Sequence, residues 1–142
     1  MTQQSHIWII DDDDSIRWVL QKALEGAGFR VTSFDNANTI LDKLTREQPD
    51  AIITDVRMPG IDGLELLSHL STDYPELPVI IMTAHTDLDS AVSAYQGGAF
   101  EYLPKPFDID DAVTITQRAC SKKQSADSQL DAGKEGPEII GA

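Results

Sequence analysis

Short apolar runs alternate along this chain with longer segments of helical period. Ile7-Trp8-Ile9-Ile10 is continuous and rich in β-branched side chains, which predicts a strand buried on both faces. Ile16, Val19, Leu20, Ala23, Leu24 and Ala27 then follow the i, i+3, i+4, i+7 rule of an amphipathic helix. Asp14 or Ser15 can cap its start, and Gly28 stands where a left-handed residue would close it. Arg30 to Phe34 alternates polar and apolar residues, as a strand at a sheet edge does. Asp35 or Asn36 can cap a second helix that turns Ala37, Ile40, Leu41 and Leu44 inward, and Pro49 ends it.

The pattern repeats three more times. Ala51-Ile52-Ile53-Thr54 predicts a third buried strand that delivers Asp55 at its C-terminal end. The turn from Met58 to Gly63 leads into a helix through Leu64, Leu67 and Leu70. Pro75 and Pro78 punctuate the passage to a fourth strand, Val79 to Met82. Thr86 and Asp89 have capping-box spacing for a helix carrying Leu88, Ala91, Val92 and Tyr95, stopped by Gly97 and Gly98. A fifth strand, Ala99 to Leu103, leads to Lys105-Pro106-Phe107, and a last helix spans Asp108 to Cys120. Strict strand–helix alternation implies an α/β fold, a parallel sheet with helices on both faces. From Ser121 to Gly136 the chain is polar and aperiodic, which predicts a flexible linker. Pro137 to Ala142 turns apolar again, like the opening of another unit.

Composition narrows the function. The chain has 142 residues, 41% hydrophobic, with 24 acidic residues against 11 basic ones and a net charge of -13. So acidic a module is repelled by nucleic acid and by anionic membranes. The single cysteine, Cys120, allows no internal disulfide, suits a reducing compartment and is expected to pack. No apolar run is long enough to cross a bilayer, and the polar start carries no secretory segment, so the expected setting is the cytoplasm.

In open parallel sheets, sites form outside the carboxyl ends of the strands. There the sequence places Asp11 and Asp12 after the first strand, Asp55 at the third, Thr83 at the fourth and Lys105 at the fifth. Two like charges about 4 Å apart, at an effective dielectric near 20, repel by roughly 4 kcal/mol. Clustered carboxylates therefore call for a cation, and Mg²⁺ suits all-oxygen ligands while leaving room for a phosphate. Neither a Ser-His-Asp arrangement nor a Gly-rich phosphate loop is legible, so an aspartate nucleophile forming an acyl phosphate is the chemistry indicated. Asp55 is the candidate nucleophile. Asp11 and Asp12 would hold the metal, with Arg57 able to add a backbone carbonyl, and Thr83 and Lys105 would contact phosphoryl oxygens. Asp13 and Asp14 read as an ordinary acidic helix start. His85, two residues past Thr83, reads as a surface or loop residue rather than a base or ligand, His6 and His69 read as incidental, and Trp8 and Trp18 as packing residues.

These residues carry a resemblance. Asp11-Asp12, the stretch Asp55-Val56-Arg57-Met58-Pro59-Gly60-Ile61-Asp62-Gly63, Thr83-Ala84 and Tyr102-Leu103-Pro104-Lys105-Pro106-Phe107 closely resemble a response-regulator receiver, from about His6 to Cys120. Ser15 to Leu20, Met82 to Asp89, Ala91 to Gln96 and Gly98 to Phe100 are similar, more narrowly, to the nitrogen regulators of the NtrC type. The resemblance implies a doubly wound, flavodoxin-like five-stranded parallel sheet in the order 2-1-3-4-5. It implies a receiver domain over residues 1–120, and a linker over 121–142 leading into a truncated AAA+ ATPase domain. It further implies that a sensor histidine kinase phosphorylates Asp55 with Mg²⁺ at Asp11 and Asp12, that Lys105 contacts the phosphate, and that Thr83 and Tyr102 form a switch pair. A cis Lys105-Pro106 peptide, a homodimer or higher oligomer on phosphorylation, and DNA and sigma-factor RNA polymerase contacts made only by other domains are implied as well. Two alternatives stand beside this: a receiver of the same type answering another signal, and a hydrolase with an aspartyl-phosphate. Hydrolases of that kind carry a second aspartate two residues after the nucleophile, where this chain has Arg57.

Overall fold

The computed structural model describes residues 5–56, 63–84, 92 and 96–132. Five strands, β1 (His6–Ile10), β2 (Arg30–Phe34), β3 (Ala51–Asp55), β4 (Val79–Ala84) and β5 (Glu101–Lys105), form one sheet. Its order is β2-β1-β3-β4-β5, and every pairing is parallel. Among the described residues, four helices connect or follow them: α1 (Asp14–Gly26), α2 (Ile40–Leu44), α3 (Gly63–Asp73) and α4 (Ile109–Ala132). The expected helix between β4 and β5 falls mostly outside the described residues; Val92, placed inward by its period, is 54% exposed.

The alternation of strand side chains divides the core into two layers. Trp8, Ile10, Ile52, Val79 and Ile81 point to one face, where Ile40 and Leu44 of α2 and Leu66, Leu67 and Leu70 of α3 cover them. Ile7, Ile9, Ile53, Ile80, Met82 and Leu103 point to the other, under Leu20 and Leu24 of α1 and Ala112 and Ala119 of α4. β1 is buried along its whole length, while edge strand β2 is only half-buried.

Several boundaries differ from the sequence reading. Asp13, not Asp14 or Ser15, caps α1: its carboxylate accepts the N–H groups of Ser15 at 2.9 Å and Ile16 at 3.3 Å. Gly28 closes that helix with φ +98°, as its position predicts. β5 lies two residues later than expected, because the edge of the sheet tolerates Pro104, which has no N–H to offer a further strand. The last helix runs to Ala132, well past Cys120, since helical backbone persists where the apolar face stops. Trp18 is 62% exposed rather than packed, two residues from the buried stripe at Leu20 and therefore on the opposite side of α1.

His6, read as incidental, is 8% exposed and tied into the far end of the sheet. Its Nε2 lies 2.7 Å from Thr32 Oγ1, and its Nδ1 lies 3.0 Å from both Arg30 Nη2 and Glu47 Oε2. Burial lowers its pKa first, and the Arg30 charge lowers it further, against the pull of Glu47 and Asp50. A histidine with a lowered folded pKa takes its proton more readily when unfolded. Stability is therefore greatest above the unfolded value and falls as the pH drops through it. Between about pH 7.5 and 5.5 the urea midpoint of the wild type should fall more than that of His6→Gln. Parallel slopes would show that His6 is not the titrating group.

Candidate functional site

The ends of β1, β3 and β5 build the site. Asp11 continues β1, its N–H donating to the Phe34 carbonyl at 3.1 Å, and its side chain is fully buried. One carboxylate oxygen accepts the Asp13 N–H at 2.9 Å, and the other accepts the Lys105 ammonium at 3.0 Å. Asp55 ends β3, mostly buried, and its Oδ2 accepts the same ammonium at 3.2 Å. Asp12 stands exposed beside them, and one oxygen each from Asp11, Asp12 and Asp55 lie within 4.8 Å of one another. The parity of the strands explains the meeting. Asp11, Asp55 and Lys105 fall in step with Ile9, Ile53 and Leu103, on the second core face.

One ammonium bridges two of the three clustered carboxylates, so repulsion remains in the cluster. Burial pushes the Asp11 carboxyl up, only partly offset by the Asp13 N–H and Lys105. Burial alone would lower the Lys105 pKa, but the hydrogen bond and charge of Asp11, then those of Asp55, outweigh it and raise it. Lys105 is therefore charged at neutral pH, acting as an internal counterion. Its removal should destabilise the fold by about 1–2 kcal/mol, because Asp11 keeps a buried charge without its cation. Mg²⁺ should then raise the melting temperature of Lys105→Ala more than that of the wild type, which differential scanning fluorimetry would show. An equal rise in both would contradict the counterion role.

Thr83 and Tyr102 lie on the opposite parity. Thr83, 2% exposed, is two residues beyond Ile81, the register partner of Tyr102, so the two side chains start from one face of neighbouring strands. Tyr102 packs against the first core layer. Asp55 is the register partner of Met82, which places Thr83 one residue further along the rim. Arg57 lies outside the described residues. The Lys105-Pro106 peptide is cis, as the resemblance implies.

Two residues escaped the sequence reading as site residues. A Cβ built on Gly63 would lie 2.2 Å from the Asp55 carbonyl oxygen and 2.9 Å from Val56 Cα, while its N–H donates to the Val56 carbonyl at 2.8 Å. Gly63 thus lets α3 begin directly against the backbone of Asp55. Arg17 donates to the main-chain carbonyl of Asp11 and to the Asp14 carboxylate. A glycine at the end of a turn and an arginine on a helix carry no sequence mark of contacts with the backbone of Asp55 or Asp11.

The donor set suits a hard divalent cation. Among the described residues every ligand atom of the group is a carboxylate oxygen, and such sets take Mg²⁺ or Ca²⁺ in preference to softer metals. Asp11, Asp12 and Asp55 could hold such an ion. A partly buried ammonium beside a lone strand-end aspartate thus stands with two further carboxylates at the carboxyl edge of a doubly wound sheet, where such folds form their sites.

Comparison with known proteins agrees. The response regulator receiver domain family matches residues 7–117, and the chain belongs to that family. Within it, the chain is 55% identical over 141 residues to the DNA-binding transcriptional regulator NtrC of Klebsiella pneumoniae, which covers 98% of this chain. It is 40% identical over 126 residues to the transcriptional regulatory protein FixJ of Bradyrhizobium diazoefficiens, covering 89% of this chain and 62% of FixJ. The solution structure of the apo receiver domain of nitrogen regulatory protein C superposes with a TM-score of 0.78 at 58% identity, covering 87% of this chain and 99% of that one. The chain spans about 30% of the length of the NtrC relative. No helix among the described residues is long and apolar enough to cross a membrane.

Proposed function

We propose that the chain is a phosphorylation switch in which Asp55 accepts a phosphoryl group from the phosphohistidine of a sensor histidine kinase. The observation that carries this is the meeting of Asp11, Asp12 and Asp55 within 4.8 Å, with Lys105 bridging two of them. Asp11, Asp12, Asp55 and the main-chain carbonyl of Arg57 would hold Mg²⁺. When bound, that ion supplies positive charge to the phosphoryl oxygens and to the attacking carboxylate.

The protein's own groups do the rest. A carboxylate oxygen of Asp55 attacks phosphorus in line with the scissile bond; the P–N bond to the donor histidine breaks, and the imidazole leaves with the electron pair and takes up a proton. Lys105, already within 3.2 Å of Asp55 Oδ2, turns its ammonium onto a phosphoryl oxygen. The Thr83 hydroxyl donates to another, and Tyr102 turns into the space Thr83 leaves. The phosphoryl group thereby biases two arrangements of one face, a population shift driven by local charge.

The likeness to NtrC supports a receiver in the control of nitrogen assimilation, working in the cytoplasm and assembling as a homodimer or higher oligomer when phosphorylated. Residues 121–142 would then connect the receiver to an AAA+ ATPase domain. DNA and sigma-factor RNA polymerase would be contacted by such further domains alone. Beryllofluoride, a phosphoryl mimic, tests the switch. With Mg²⁺ it should shift the amide resonances of Thr83, Tyr102 and Lys105, and without Mg²⁺ it should not. Unmoved resonances at Thr83 and Tyr102 with the ligand bound would refute the switch pair.

A further inference from the structure

Arg17 sits in the first turns of α1, five residues after Asp12, with only 17% of its side chain exposed. One terminal nitrogen donates to the main-chain carbonyl of Asp11 and the other to Oδ1 of Asp14. The guanidinium thus joins the residue that follows β1 to the residue that begins α1. Inside the same turn, the Asp13 N–H donates to Asp11 Oδ1 at 2.9 Å, and the Asp13 carboxylate caps the helix. Asp12 lies between these anchors, so the shape of the turn decides where its exposed carboxylate points.

We propose that Arg17 is a positioning residue for the acidic pair: its fork clasps the turn from Asp11 to Asp14 in the shape that brings Asp11 and Asp12 to Asp55. The inference rests on the reading of this pocket as a Mg²⁺-dependent phosphoacceptor site. Arg17 has two effects of opposite sign. Its charge stands beside the cluster and disfavours a second cation, so charge alone predicts tighter Mg²⁺ binding once it is removed. Its geometry fixes the ligands, so loss of the fork predicts weaker binding.

The contacts decide between them. Lys105 already touches the carboxylates of Asp11 and Asp55 directly, at 3.0 and 3.2 Å, and dominates the local positive charge. Arg17 reaches Asp11 through its carbonyl rather than its carboxylate, so its hold on the backbone outweighs its field at the ligand oxygens. Lysine cannot reproduce a two-nitrogen bridge, since it carries a single ammonium.

The test is Mg²⁺ titration by isothermal calorimetry on the wild type, Arg17→Ala and Arg17→Lys, with phosphorylation by acetyl phosphate followed across the same Mg²⁺ range. Arg17→Ala should bind Mg²⁺ about tenfold more weakly, the lower end for outer groups that orient metal ligands. Arg17→Lys should be weaker by at least about threefold despite keeping its charge. At saturating Mg²⁺ both variants should be phosphorylated within about twofold of the wild-type rate, a split between metal affinity and chemistry that a general loss of structure would not give. Melting curves without Mg²⁺ check the fold, and if Arg17→Ala does not fold, Arg17→Lys carries the comparison. Unchanged or tighter Mg²⁺ binding in Arg17→Ala, or full wild-type affinity in Arg17→Lys, overturns the proposal. A wild type that neither binds Mg²⁺ nor takes up phosphate overturns the phosphoacceptor reading and this inference with it.

Discussion

Asp55→Asn will take up no phosphoryl group from acetyl phosphate or from a histidine kinase, yet it will fold. Radiolabel incorporation should fall to background, because an amide lacks the anionic oxygen that attacks phosphorus and no other carboxylate stands where Asp55 does at the end of β3. Asp11 is committed to Lys105 and the Asp13 N–H, and Asp12 lies on the neighbouring turn. The thermal response goes the other way. Three carboxylates cluster around one ammonium that bridges two of them, so removing one charge relieves repulsion while Lys105 keeps its contact to the buried Asp11. The melting temperature of Asp55→Asn in Mg²⁺-free buffer should equal or exceed that of the wild type, and its rise on adding Mg²⁺ should shrink. A variant labelled at the wild-type level would remove Asp55 from its role. One that melted well below wild type would show that Asp55 holds the fold rather than stressing it.

Gly63→Ala should cause the largest loss of stability among these substitutions, about 3 kcal/mol, the upper part of the range for forced overpacking. The added methyl would meet the Asp55 carbonyl at 2.2 Å and Val56 Cα at 2.9 Å, and neither is the movable end of a side chain. Relief requires α3 to withdraw from the end of β3, which breaks the 2.8 Å hydrogen bond from Gly63 to Val56 and uncovers Leu66, Leu67 and Leu70. Gly26 supplies the control. It ends α1 with nothing within 4 Å of a built Cβ, so Gly26→Ala should be neutral or stabilising by up to about 1 kcal/mol. Urea midpoints of the two variants should therefore move in opposite directions. A Gly63→Ala midpoint close to wild type would mean that the contact at the Asp55 backbone is not tight.

What the sequence made legible follows from what periodicity can carry. The runs 7–10, 51–53 and 79–82 of β1, β3 and β4 are continuously apolar because both faces are covered, and that continuity marks them as buried parallel strands. The same alternation forecasts that Asp11, Asp55 and Lys105 reach one rim. Capping and strand limits were less legible, since Asp13, Asp14 and Ser15 are all good caps and only the path of the chain out of β1 selects Asp13. β5 shifted because Pro104 looks like an end to a strand until the sheet order puts it on an edge. The long α4 escaped because residues after Cys120 have no apolar period, and a helix does not need one to keep its backbone bonds. His6, Gly63 and Arg17 escaped for a different reason. His6 meets Thr32, and Gly63 and Arg17 meet the backbone of Asp55 and Asp11, and a residue type alone does not name such a partner.

The central claim is that Asp55 is a Mg²⁺-dependent phosphoacceptor. Intact-mass spectrometry of the wild type after acetyl phosphate, with and without Mg²⁺, followed by mapping of the modified peptide, tests it most directly. The account predicts one phosphoryl adduct, located on Asp55 and formed only when Mg²⁺ is present. A folded protein with no adduct, or an adduct that forms without Mg²⁺ or maps to another residue, would contradict it.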